Sequence, residues 1–207
     1  MKFAAMIIYR IRQMLTCHQN YDIIVPNKEE KEKTIIGRRK PVMINAHTKN
    51  TCALFSGLDL SRYIISYCAE NEKQITNLAL QKILYYIQGY FFKFYQIAAV
   101  SDDFCKWPYG PVIPSVYYEF CYSGANPIVI DADSVRENLH SIDIEKGYKR
   151  LISTVVDKCL DFDNVFDLVE QTHSESPWKN ELKMGSFISD DAIQEFFLSN
   201  NPLSINM

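Results

Sequence analysis

LQKILYYIQGYFFKFY, residues Leu80 to Tyr95, has the spacing of a helix but carries bulky apolar side chains on every side of it. At about 100° per residue, Leu80, Ile83, Leu84, Ile87, Phe91 and Phe94 share one stripe. Tyr85 and Phe92 lie well off that stripe, Tyr86 lies on its other flank, and Gly89 sits at its back. Thr76 precedes the run as an N-cap. Such a helix is expected at the centre of a domain, packed by neighbours all round. Part of the flank carrying Tyr85, Tyr86 and Phe92 is expected to serve as a partner face. A second stretch, FCKWPYGPVIP from Phe104 to Pro114, belongs with it. An extended piece there leads into Trp107-Pro108-Tyr109-Gly110-Pro111, where the prolines fix φ and Gly110 is free to take φ > 0. Pro114 suits the first turn of a following helix.

Working outward, other helical patterns are expected over Leu60–Asn71 with Asp59 as cap, Ile144–Leu160, Asp163–Thr172, and Ser189–Ser199 with Ser189 as cap. Residues 125–143 read as a loop holding a short strand at Ile128–Ile130. SESPWKNELKMG reads as a helical turn opened by Pro177. With only seven glycines and long periodic segments, a sandwich or barrel of many short strands is excluded. The fold expected is mainly α: a compact helical domain around the central aromatic helix, with a small β element. The domain is placed at 58–199, after a basic extension over 1–57 that is partly disordered and before a tail over 200–207.

Charge is divided unevenly. Residues 1–56 hold ten Lys/Arg against four Asp/Glu, and residues 57–207 hold twelve against twenty-one, giving +6 and −9. A nucleic-acid reader usually has a basic body; here only the arm is basic. The chain has no run of 18 apolar residues, so no membrane helix is expected. Six cysteines without C-x-x-C spacing, of which Cys68, Cys121 and Cys159 fall on apolar helix faces, read as reduced thiols of a cytoplasmic protein.

Catalytic constellations are absent from the sequence: no phosphate loop, no H-E-x-x-H, no G-x-S-x-G. His173 and Glu175 form an H-x-E, but the P-C-x-x-C half of a zinc deaminase signature is missing. Asp190-Asp191 is helix-start charge, and Arg38–Lys40 is a solvated charge run. No catalytic residue, metal site or cofactor is expected. Trp107 and Trp178 each adjoin a proline and read as turn anchors, with Trp178 also a candidate partner contact.

The two central stretches together resemble the Panacea antitoxin domain family, also described as SocA-like and as phage-associated GepA-like. Thr76, Leu78, Leu80, Gln81, Lys82, Leu84, Tyr85, Tyr86, Gln88 and Gly89 fit its first motif, with Ile83 in place of a leucine. Trp107, Tyr109, Gly110, Pro111, Val112, Pro114, Val116 and Tyr117 fit its W-x-Y-G-P-V motif and the helix after it. His173, Pro177, Trp178, Ile188 and Phe197 fit the end of the pattern. The resemblance implies a helical domain with a small β element and no catalytic site. It also implies a type II antitoxin that binds the toxin encoded beside it. Alternatives are an adaptor handing a toxin to a host protease, and an autorepressor whose N-terminal arm contacts DNA. The motif residues Trp107, Tyr109, Gly110 and Pro111 are expected to act through the fold.

Overall fold

The computed structural model describes residues 53–207, which lie in one unit. Residues 1–52 of the extension placed at 1–57, with Cys17, Cys52 and any DNA contact by that arm, lie outside them. Eight α-helices and one small sheet form among the described residues: α1 (Gly57–Glu70), α2 (Asn77–Tyr95), β1 (Phe104–Trp107), β2 (Gly110–Val112), α3 (Pro114–Phe120), α4 (Ala132–Ser141), α5 (Lys146–Leu160), α6 (Val165–Ser174), α7 (Ser176–Lys179), β3 (Phe187–Ile188) and α8 (Asp190–Ser199). The fold is mainly α with a small antiparallel sheet, as the sequence implies.

Helix α2 is the axis. Thr76 Oγ1 accepts from Ala79 N–H to start it, and Gln96 ends it in the left-handed region with its N–H on Phe92 C=O. Every residue from Ala79 to Phe92 is buried. The neighbours that bury them include α5, α6, α8 and β2. Tyr85 and Tyr86 are fully buried and Phe92 nearly so, which corrects their expected place on an open partner face. The physical reason is ring packing: Phe197 of α8 lies edge-on to Tyr85, Tyr86 and Tyr90 at centroid distances of 5.7, 6.0 and 5.3 Å.

That packing requires Gly89. A Cβ built there would fall among the ring atoms of Phe197, itself fully buried. Alanine favours a helix over glycine by about 1 kcal/mol, whereas overpacking a core costs about 1–3 kcal/mol. Phe197 is enclosed by three tyrosines and Phe196, so it has no room to yield and the clash prevails. Gly89→Ala is therefore expected to lose about 2 kcal/mol in urea unfolding; an unchanged or raised midpoint would show that α8 shifts freely.

Beyond α2, the caps follow the sequence with one correction. Ser56, not Asp59, caps α1. Its Oγ accepts from Asp59 N–H at 3.1 Å and donates to Asp59 Oδ2 at 2.7 Å, so Asp59 is the third helical residue of a reciprocal cap. Ser189 caps α8 and Pro114 opens α3 as expected. No strand forms at Ile128–Ile130: Ile128 N–H bonds Ile75 C=O at 2.8 Å, and Pro127 forms only an isolated bridge with Thr76. The expected loop over 125–143 contains α4, capped by Asp131, whose Oδ1 accepts from Asp133 and Ser134 N–H. No residue of α4 is buried, and Val135 and Leu139 are its only large apolar residues.

The sheet has the order β2-β1-β3. Strands β1 and β2 form a hairpin with Cys105 opposite Val112, Lys106 opposite Pro111 and Trp107 opposite Gly110. Strand β3 adds Ile188 opposite Phe104 and Phe187 opposite Cys105. After α8 the chain remains packed: Leu203 and Ile205 are buried, and Leu203 N–H bonds the Tyr90 hydroxyl at 2.8 Å. Lys93 Nζ closes the end of α8 by donating to the carbonyls of Phe197 and Asn200.

Candidate functional site

The motif residues far apart in sequence meet at one joint. Three pieces form it: the first half of α2, the β1–β2 hairpin, and the α6–α7 corner. On α2, Gln81 is buried, accepting from Ile113 N–H at 2.9 Å and donating to Asn77 Oδ1 at 3.1 Å. One residue on, Lys82 is fully buried and its Nζ donates to Pro111 C=O at 2.7 Å. Burial pushes its pKa well below the ordinary lysine value. Gly110 takes φ +100° over this amine. A Cβ there would lie 2.6 Å from Lys82 Nζ and 2.7 Å from Thr172 Oγ1. The hairpin's glycine is thus set both by backbone conformation and by the lysine beneath it.

The α6–α7 corner supplies the third piece. Glu175, 4% exposed, accepts from the Tyr86 hydroxyl at 2.8 Å through Oε1, and its Oε2 is buried with no partner. Burial raises the carboxyl to about 7, against the opposing effect of the Tyr86 and Tyr85 hydroxyls. Burial and the nearby carboxyl together push both tyrosines up. Two residues earlier, the His173 ring stacks on Trp178 with centroids 3.8 Å apart and planes 13° apart. Burial, with the Lys82 and Lys106 amines, lowers His173 to about 4. Trp178 Nε1 donates to Trp107 C=O at 3.1 Å, tying α7 to the hairpin. Lys106 Nζ covers the Trp178 ring at 4.1 Å and donates to Glu181 C=O at 2.7 Å.

Of the residues singled out from sequence, Gln81, Lys82, Trp107, Gly110, Pro111 and Trp178 come together here. Tyr85 and Tyr86 reach it from inside the core. Tyr109 lies on Phe166 of α6 at 6.4 Å, while Trp107 packs against Tyr117 at 5.0 Å. Thr76 and Pro114 start helices, Leu80 lies in the core, and Gly89 and Phe92 lie beyond the joint along α2. Sequence reasoning missed Thr172, Lys106 and the role of Glu175. The available signal was the H-x-E itself, read against metal chemistry and not as a buried polar pair.

Lys82, His173 and Glu175 are each shifted toward the uncharged form, which suits a water-poor core. Among the described residues, no three His, Cys, Asp or Glu side chains are placed to hold a metal ion. Cys68, Cys105, Cys121 and Cys159 are free thiols. Cys68 and Cys159 are buried as the sequence implies, and Cys121 is half-buried in a 3₁₀ turn after α3. No helix among these residues is long and apolar enough to cross a membrane.

Residues 80–179, which contain most of the joint, match the family model for the antitoxin SocA-like, Panacea domain. The chain is also similar to the antitoxin SocA of Caulobacter vibrioides (strain NA1000 / CB15N), with 29% identity over 155 residues covering 67% of this chain and 80% of that protein. No solved structure matches. Through the domain built around this joint, the chain is thus similar to the antitoxin SocA-like, Panacea domain family.

Proposed function

We propose that this protein is the antitoxin of a type II toxin–antitoxin system and neutralises a toxin encoded beside it by direct protein–protein binding. The observation that carries this reading is the family match, which falls on the one place where the sequence motifs converge. The binding unit is the described body, whose core reaches from Phe55 to Ile205, slightly wider than 58–199. Four free thiols fit action in the reducing cytoplasm.

Co-expression with the neighbouring gene's product tests this. The expected result is restored growth with the toxin intact and co-purifying in a stable complex. Restored growth with toxin levels falling only while a host protease is active would replace sequestration by delivery. Failure to restore growth would end the antitoxin reading.

A further inference from the structure

The segment between α7 and β3 carries three exposed apolar side chains within six residues. Leu182 is 99% exposed, Phe187 66% and Met184 42%. Single exposed apolar residues are ordinary, but several close together on one segment mark an interaction site. Here the backbone adds a second requirement. Strand β3 is an outer strand of the sheet. Lys106 N–H bonds Ser186 C=O at 2.9 Å, and Phe104 pairs with Ile188. Bonded and non-bonded pairs alternate along an antiparallel ladder. The Cys105–Phe187 pair between them is therefore non-bonded, and the N–H and C=O of Phe187 point away from β1. The Phe187 side chain lies on the same sheet face as Cys105 and Trp107. An outward backbone donor and acceptor beside exposed apolar side chains accept an extended chain.

Charge narrows the partner. Lys179 and Lys183 are exposed on either side of Leu182, with Glu181 half-buried between them. Residues 57–207 as a whole carry −9. A second copy docked face to face would set these same two lysines against their own counterparts, which like-charge repulsion disfavours. A different protein that brings carboxylates to these two lysines is complementary.

We infer that β3 and the segment 182–187 are the surface that docks the toxin, by receiving an extended apolar segment of it, bordered by carboxylates, as an added strand beside Phe187. This rests on the antitoxin reading above. The motif joint holds the surface in place: Lys106 bonds Glu181 through its side chain, and its C=O accepts from Gly185 N–H at 2.7 Å.

The test uses the full chain co-expressed and co-purified with the neighbouring toxin. Its variants are Leu182→Asp/Phe187→Asp, Lys179→Glu/Lys183→Glu, and the control Val129→Asp at an exposed position elsewhere. The wild type and the control restore growth. The double aspartate variant keeps its melting temperature but loses rescue, with affinity lower by about 100-fold or more, as expected for paired hot spots. The charge-reversed variant weakens binding by about 10-fold. In the complex, the Phe187 amide gains protection from hydrogen exchange. Rescue at wild-type level by both folded double variants overturns the inference alone. A self-association of the free chain that Phe187→Asp abolishes overturns it in favour of a second copy. Absence of rescue by the wild type overturns the antitoxin reading, and the inference with it.

Discussion

Gly110→Val is expected to cost about 4 kcal/mol or more, enough to leave most of the protein unfolded or insoluble. Two independent terms add. Valine at φ +100° is a strained backbone state, worth about 1–3 kcal/mol. Its side chain would also enter space held by Lys82 Nζ and Thr172 Oγ1, at a further cost of about 1–3 kcal/mol. Neither neighbour can step aside cheaply, since Lys82 Nζ is bonded to Pro111 C=O and Thr172 Oγ1 to Val169 C=O. Gly110→Ala should show a smaller loss with the same sign. Urea unfolding and soluble yield measure the effect. A soluble Gly110→Val protein with wild-type stability that has lost only its binding would place the motif in the interface, contrary to this account.

The second large effect is a pair of opposed titrations two residues apart. Glu175 has its folded pKa raised from 4.5 to about 7. Its contribution is fully present below about pH 4.5 and is lost as pH rises to about 7, worth about 3 kcal/mol. His173 has its folded pKa lowered from 6.5 to about 4. Its contribution is fully present above about pH 6.5 and is lost as pH falls to about 4. For a half-buried ring this is worth about 2 kcal/mol. The groups facing Glu175 are Tyr85, Tyr86 and Tyr90 of α2 and Cys159 of α5, while Lys82 and Lys106 face His173. Between about pH 4.5 and 6.5 the two slopes nearly cancel. Glu175→Gln should make stability rise with pH relative to wild type across that window, and His173→Asn should make it fall. Parallel pH–stability curves for all three proteins would refute the opposed pair.

Much of this fold is legible in local pattern. Thr76 and the stripe from Leu80 to Phe94 locate α2, and Ser189 with the paired aspartates locates α8. The rigid turn after the extended piece follows from two prolines and a glycine, whereas the return strand β2 shows only in its pairing with β1. What local pattern leaves out is tertiary. Tyr85, Tyr86 and Phe92 lie off the stripe, so a helix read by itself leaves room for a partner face. Only the arrival of Phe197 and the other packed elements closes that space. Helix α4 depends on its Asp131 cap, carries only Val135 and Leu139 as large apolar residues and buries no residue completely, so it offers little apolar content to read. Strand β3 is two residues long and exists through pairing with β1 some eighty residues away. Of the joint, the motif positions were readable, but the buried partnership of Glu175 with Tyr86 spans 89 residues and leaves no local trace.

The central claim is that this chain works by occupying another protein, with no bond made or broken. It is tested most directly by titrating purified wild-type chain into the neighbouring gene's toxin while following the toxin's own activity. Activity is predicted to fall in proportion to added chain, reach zero at a fixed stoichiometric ratio, and return when the complex is dissociated. Progressive, irreversible loss of toxin activity under a small fraction of an equivalent would contradict the account.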